Sequence, residues 1–167
     1  MIVGSISENL EFEKRVAITP DIVKKYKSLG IQVCLNKNYA SHLGIFDKDY
    51  LNEGAEVLEN EIDVLSRSNI IVQLNMLQED KSSKLKKDQS LIGVLNPYLN
   101  SEKIKKLSEN NINCFSLELL PRITRAQSMD ILSSQANLAG YKAVVDSFSY
   151  FTKAIPMMMT AAGTISA

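Results

Sequence analysis

The feature that most constrains the fold of this chain is an alternation of short apolar runs with segments of helical periodicity. The run Ile70–Leu74 has the composition of a buried strand. The apolar residues between Ile22 and Leu29 recur every three or four positions, as they do on one face of a helix. Strands that alternate with helices at this spacing form βαβ units, whose strands pair in parallel. The pattern therefore predicts an α/β fold with a mostly parallel sheet.

The boundaries of the elements follow from local signals. Thr19, Pro20 and Asp21 suit the start of the first helix, and Gly30 suits its end. Glu79–Gln89 carries four lysines among three acids and is interpreted as a solvated helix face. The other expected strands are Met1–Ser5, Ile31–Leu35, Ala55–Leu58, Ser90–Leu95 and Ile112–Leu119, and the other expected helices are Asp47–Asn52, Ile62–Arg67 and Ser101–Asn110. Together they predict a three-layer α/β/α domain of the flavodoxin or Rossmann-like kind.

Composition narrows the classes of function. Nineteen basic residues balance nineteen acidic ones, so the net charge is zero and no basic surface for nucleic acid is expected. No cluster suggests a metal site. The chain shows neither a signal peptide nor an apolar run of membrane-spanning length, which predicts a cytoplasmic location. The cysteines, Cys34 and Cys114, lie in apolar runs and are expected to be buried thiols.

The last third of the chain changes character. One long amphipathic helix is predicted over Ser134–Phe151, with apolar residues stepping by three or four. The tail Ala154–Ala167 is apolar and is interpreted as a strand and a turn. Residues 1–133 are therefore expected to form the α/β domain, and residues 134–167 to lead toward a second domain. So much apolar surface predicts a homodimer.

The segment between the last predicted strand and the long helix could carry chemistry. If the chain is helical from Gln127, then Gln127, Asp130 and Ser133 or Ser134 share one face, with Arg122 on the loop beside them. A guanidinium, a carboxylate, an amide and a hydroxyl match the donor and acceptor of a planar carboxamide. On the residues alone, a surface Arg–Asp pair with helix caps is the favoured interpretation of the segment.

The run from Pro121 to Tyr141, PRITRAQSMDILSSQANLAGY, resembles the NAD(H)-binding alpha subunit of proton-translocating NAD(P) transhydrogenases. Glu13–Pro20 and Thr160–Gly163 support the resemblance, which extends over essentially the whole chain. It implies membership of the alanine dehydrogenase/transhydrogenase N-terminal domain family. It further implies that Arg122, Asp130 and Ser133 hold the nicotinamide carboxamide of NADH, that Gln127 faces a partner domain carrying NADP(H), and that Tyr141 lies near the same cleft. Arg122, Gln127 and Asp130 are the expected catalytic residues.

Alanine dehydrogenases resemble the chain in the same way and give the main alternative. Their active site combines an Arg-Val-Ala-x-Thr-Pro motif with a lysine and a histidine. Arg15 is present here, but Asn75 and Asn96 occupy the positions matched to the lysine and histidine. Neither amide can activate a carbonyl as a cation or act as a general acid. His42 is expected to be structural. A non-catalytic, dimerising α/β domain is a third possibility.

The resemblance also implies what lies outside these residues. Subunits of this family continue into a second, NAD-binding Rossmann domain with a G-x-G-x-x-G turn, and that motif does not occur here. We therefore expect a truncated chain or one piece of a split gene, which alone is inactive and binds NADH weakly. The expected partners are the NADP(H)-binding and membrane domains of the transhydrogenase, which would hold the subunit at the inner membrane.

Overall fold

A computed structural model describes residues 1–166 as two compact units, Met1–Leu120 and the segment that begins at Pro121. Ala167, the end of the predicted tail, lies outside the described residues. The first unit contains six strands, β1 to β6, at Ile2–Ser5, Gln32–Asn36, Glu56–Leu58, Ile70–Asn75, Ser90–Val94 and Asn113–Ser116. Its helices, α1 to α5, are Pro20–Ser28, Asp47–Glu53, Glu61–Arg67, Glu79–Ser82 and Ser101–Glu109. The predicted alternation of strands and helices is confirmed.

The six strands form one sheet in the order β3-β2-β1-β4-β5-β6, and every neighbouring pair is parallel. Val3 at the centre of the sheet pairs with Val33 on one side and Ile70 on the other. The chain therefore builds outward from β1 in one direction and then, starting at β4, in the other. In open parallel sheets this reversal opens a crevice at the carboxyl ends of the strands.

The sheet is covered on both faces, because successive side chains of a strand point to opposite sides. Val33 and Leu35 pack with Val23 of α1 and Tyr50 of α2 in one buried cluster. Cys34, between them in sequence, belongs to the opposite cluster, together with residues of α3 and α5: Val64, Leu65 and Leu107. The predicted three-layer α/β/α arrangement is thus confirmed.

Several predicted boundaries differ from the structure. Thr19 takes the N-cap position of α1 with extended backbone, but its side chain makes no capping hydrogen bond. The prediction of a helix over Glu79–Gln89 is wrong beyond Ser82. The hydroxyls of Ser82 and Ser83 donate to the carbonyls of Glu79 and Asp80, and Asp88 has left-handed backbone. Short polar side chains that bond to nearby backbone favour turns over helix.

The second unit contains the long helix α6, Ile131–Tyr150, and a two-stranded antiparallel hairpin of β7, Met158–Thr160, and β8, Gly163–Ile165. The predicted long helix and the predicted strand and turn are confirmed, but the prediction that the helix is amphipathic is wrong, because its apolar residues do not gather on one face. In residues 121–166 only Ala126 is buried. No helix among the described residues is long and apolar enough to cross a membrane. The organisation expected from sequence, with a boundary after residue 133, stays a prediction.

Candidate functional site

A cleft of about 350 Å³ opens where β1 and β4 end, at the reversal of strand order. The loop after β1 forms one wall, and the end of β4 with the segment that leads into α4 forms the other. Its lining residues are Ile6, Ser7, Glu8, Asn9, Phe12, Glu13, Gln73, Asn75, Met76, Leu77, Gln78 and Lys81. Ligands of open α/β folds bind at this place in the sheet, so this switch-point cleft is a candidate site.

Glu8 is the central polar group of the cleft. Its Oε1 accepts hydrogen bonds from the backbone N–H of Leu74 at 2.7 Å and from Nε2 of Gln73 at 3.2 Å. Within residues 1–166, its Oε2 accepts a hydrogen bond only from the side-chain amide of Asn75, at 3.4 Å. Burial raises the pKa of Glu8, although the hydrogen bonds from Leu74 and Asn75 oppose that shift. The carboxylate is therefore held in position through Oε1, whereas Oε2 accepts only a long hydrogen bond.

Behind Glu8 lies a buried polar network that extends from Gln73 to the loop of the Arg-Val-Ala-x-Thr-Pro motif. Gln73, only 3% exposed, accepts from the backbone N–H of Ile6 and from Oγ of Ser5. Ser5 Oγ lies 2.8 Å from the hydroxyl of Tyr39, which accepts from the backbone N–H groups of Ala17 and Ile18 at 3.0 and 3.2 Å. The network fixes the motif loop to the centre of the sheet.

Arg15, the cation of the Arg-Val-Ala-x-Thr-Pro motif, is paired with Glu13. Nη2 of Arg15 donates to Oε2 of Glu13 at 2.6 Å, and its Nε donates to Oε1 at 2.9 Å. This pairing, mainly through the side-chain hydrogen bond, lowers the pKa of Glu13 to about 2. Asn75 contributes an amide to the cleft, and Asn96 donates its backbone N–H to Glu118. His42 contacts the carbonyl of Lys14 at 2.7 Å, consistent with the structural role expected for it.

The predicted nicotinamide-binding residues all lie in the second unit, but they do not lie on the continuous helix that the sequence predicted. Residues 124–129 form a 3₁₀ helix, and Asp130 has extended backbone before α6 begins. The idea that Gln127, Asp130 and Ser133 share one face of a continuous helix is therefore wrong. Asp130 is instead the N-cap of α6, since its carboxylate accepts from the backbone N–H of Ser133 at 3.0 Å.

Asp130 and Ser133 are brought together directly, because the hydroxyl of Ser133 donates to Oδ2 of Asp130 at 2.6 Å. These two hydrogen bonds lower the pKa of Asp130, and the charge of Arg122 lowers it further. Arg122 thus lies within electrostatic reach of the carboxylate, although it forms no ion pair within residues 1–166. Arg122, Gln127 and Tyr141 are exposed. Tyr141 lies eight residues beyond Ser133 on α6, about 12 Å along its axis.

Glu8 and Gln73 were not predicted from the sequence. The signal for Gln73 was present, since a glutamine inside an otherwise apolar strand needs a buried hydrogen-bond partner. Glu8 gives no comparable signal, because an acidic residue in a loop after a strand is ordinary. Only the pairing of β1 with β4 brings the two side chains together.

Comparison with known proteins identifies the family. Residues 4–139 match the family described as alanine dehydrogenase/PNT, N-terminal domain, and the chain belongs to that family. Over its full length, the chain is 39% identical to a Rickettsia prowazekii protein described as the first part of NAD(P) transhydrogenase subunit alpha. It is 40% identical over 92% of its length to the protein of the same description from Rhodospirillum rubrum.

Comparison with solved structures supports the same family. A solved structure of transhydrogenase from Sinorhizobium meliloti superposes over the whole chain with a TM-score of 0.90 and 40% identity. The chain spans 50% of that solved chain, 45% of the Rickettsia relative and 41% of the Rhodospirillum relative. The family and fold expected from the sequence are confirmed.

Proposed function

We propose that this chain is the N-terminal part of the NAD(H)-binding subunit of a transhydrogenase. In the complete enzyme, hydride would pass directly from NADH to NADP⁺, coupled to proton translocation across a membrane. The observation that carries the proposal is the 39% identity, along the whole chain, to the Rickettsia transhydrogenase alpha subunit. Because the chain spans less than half of that relative, the activity belongs to the complete enzyme, and this chain alone is expected to be inactive.

Within that enzyme, the segment from Arg122 to Tyr141 is proposed to hold the nicotinamide end of NADH. The backbone N–H and hydroxyl of Ser133 hold both oxygens of the Asp130 carboxylate, and each oxygen keeps a lone pair that can accept another hydrogen bond. Those lone pairs suit the NH₂ group of a carboxamide, and the guanidinium of Arg122 suits its carbonyl oxygen. Tyr141 is proposed to lie near the same ring.

Gln127 has a different proposed role. It is exposed in the 3₁₀ helix, where its backbone carbonyl accepts the N–H of Asp130. We assign it to the approach of a partner domain that carries NADP(H). Hydride transfer between two nicotinamides requires two rings held close and dry, and no general acid.

The switch-point cleft supports a transhydrogenase over an alanine dehydrogenase. A keto acid needs a cation for its carboxylate and an acid or cation for its carbonyl. Arg15 is paired with Glu13, which lines the cleft, and the matched lysine position holds Asn75. Glu8 adds a negative charge that repels keto acids. Pyruvate with ammonium and NADH should therefore give no alanine with the complete subunit; steady formation of alanine would favour the dehydrogenase.

The proposed partners are a second copy of the subunit and the NADP(H)-binding and membrane domains. The homodimer is supported by the apolar side chains that α6 leaves exposed, including Leu138, Val144 and Phe148. Exposed apolar surface on this scale marks an interaction site. The proposed location is the cytoplasmic side of the inner membrane, where the other subunits would hold this one.

Single-turnover hydride transfer in the complete enzyme, beside equilibrium titration with NADH, tests the assigned roles. Arg122→Ala and Asp130→Asn should slow transfer by on the order of a hundredfold with little loss of affinity, since a misplacement of about 1 Å costs that much. Gln127→Asn should disturb the approach of the second nicotinamide and leave NADH affinity unchanged. Arg125→Ala, in the same exposed 3₁₀ helix, is the matched control. Variants that lost affinity but kept the rate at saturation would make this segment a binding clamp instead.

A further inference from the structure

The switch-point cleft is a second potential binding site, because all its lining residues lie between Ile6 and Lys81, and none lies in the proposed nicotinamide segment. Its volume of about 350 Å³ is within the range of small-ligand pockets. The proposed hydride transfer uses none of its side chains. The charge and shape of its walls indicate what kind of molecule it can hold.

The charge of the cleft is the first property that selects its ligand. Among the described residues, Lys81 is the one cation that lines the cleft, and it is paired with Glu61 at 2.7 Å. The lining residue Glu13 is paired with Arg15. Glu8 has no ion pair in the part of the chain that the structure describes. The charge left over in the cleft is therefore that of the Glu8 carboxylate, which attracts cations and repels anions.

Hydrogen-bonding capacity is the second criterion. Oε1 of Glu8 is engaged by Leu74 and Gln73, while Oε2 has only the 3.4 Å contact with Asn75. A carboxylate oxygen can accept about two hydrogen bonds. Oε2 thus has capacity for a strong donor from the cleft, and a charged donor gives the strongest hydrogen bond.

Shape is the third criterion. Phe12 stands at the rim of the cleft with 80% of its surface exposed, and Met76 and Leu77 supply apolar lining. An aromatic face attracts cations, most strongly where water is partly excluded. The apolar lining suits a short alkyl group attached to the cation.

We propose that this cleft binds a small organic cation, whose primary ammonium group donates to Oε2 of Glu8 on the side of Phe12 and whose alkyl part packs against Met76 and Leu77. The ligand class is a short alkylammonium compound without a carboxylate. A carboxylate on the ligand would lie against Glu8 and Glu13, and the guanidinium that could receive it is already held by Glu13.

Titration of the 167-residue chain with propylammonium chloride, followed by heteronuclear NMR, tests the proposal. Saturable shifts are expected at the backbone amides of Glu8, Leu74 and Asn75. Glu8→Gln should weaken binding at least about tenfold, because it removes the charge and keeps the shape. Glu11→Gln is the matched control, since Glu11 is an exposed acid of the same loop that does not line the cleft.

Phe12→Ala gives an independent test of the binding site. Phe12 is so exposed that its replacement leaves the buried core intact. The replacement should weaken propylammonium binding about threefold to tenfold. Sodium propionate, of similar size and opposite charge, should not bind, and L-alanine should bind less tightly than propylammonium. The proposal is overturned if propylammonium gives no saturable shift, if both substituted chains bind it as tightly as the natural chain, or if propionate or L-alanine binds more tightly.

Discussion

The two units of this chain differ in how far they bury their apolar side chains. In Met1–Leu120, strands and helices bury two clusters that include Leu65, Ile71 and Tyr50. In residues 121–166, Leu138, Tyr141 and Phe148 lie along α6 and are all more than half exposed. The sequence predicts helices in both units, but among the described residues the apolar side chains are covered by other elements mainly in the first. The second unit therefore exposes apolar surface of the kind that marks interaction sites.

The sharpest test of this contrast compares two leucines. Leu65→Ala removes a fully buried side chain and should lower the free energy of unfolding by about 2–5 kcal/mol. Leu138→Ala removes a side chain that is 58% exposed and should change it by less than about 0.5 kcal/mol at concentrations where the chain is monomeric. Urea denaturation of both variants measures the difference. Equal losses would show that α6 is packed as a core element of the single chain.

The buried polar network offers a second comparison, between two tyrosines. Tyr39→Phe leaves the backbone N–H groups of Ala17 and Ile18 without their acceptor and should cost about 1–3 kcal/mol of unfolding free energy. Tyr141→Phe removes an exposed hydroxyl on α6 and should have no measurable effect. Thermal and urea unfolding would give both values. A neutral Tyr39→Phe would mean that water replaces the lost hydroxyl.

Two glutamates in the cleft should respond to pH with opposite signs. Glu13 has its pKa lowered to about 2, so its contribution to stability is full above the unfolded value near 4.5 and is lost as the pH falls toward 2. Glu8 has a raised pKa, so its contribution is full below 4.5 and is lost as the pH rises through the folded-state value.

Replacing each glutamate with glutamine tests these opposite pH dependences. Glu13→Gln should have a lower free energy of unfolding than the natural chain at about pH 6, and the difference should vanish near pH 2. Glu8→Gln should become more stable relative to the natural chain as the pH rises above 4.5. Denaturation midpoints between about pH 2 and pH 8 measure both curves. Curves of the same sign for the two variants would contradict the assigned environments.

The smallest effect is expected at the start of α6. Asp130→Ala removes the acceptor for the backbone N–H of Ser133 and should fray the first turn, lowering helix content slightly in circular dichroism. Asp130→Asn keeps a capping oxygen and should preserve that content. The pair separates the structural role of Asp130 from its proposed role at the nicotinamide. An Asn variant that frayed as much as the Ala variant would mean that the charge, not the hydrogen bond, holds the turn.

The sequence predicted the sheet, α1 and α6 well, because each depends on periodicity and on residues such as Pro20 and Gly30 whose backbone preferences are strong. It failed at Asp130, where the choice between continuing a helix and capping a new one depends on one backbone conformation. It also missed Glu8, whose environment depends on segments 66 residues apart in the chain. Local patterns specify elements, whereas the cleft arises from strand order.

The hydrogen bonds behind Glu8 also have a direction. The hydroxyl oxygen of Tyr39 already accepts from Ala17 and Ile18, so its own hydrogen must be donated to Ser5. Ser5 then donates to the carbonyl oxygen of Gln73, which turns the amide nitrogen of Gln73 toward Glu8. Each group polarises the next in the same sense. The motif loop and the cleft are consequently the two ends of one aligned series of dipoles, and a change in the backbone at Ala17 will be felt as a change in potential at the carboxylate.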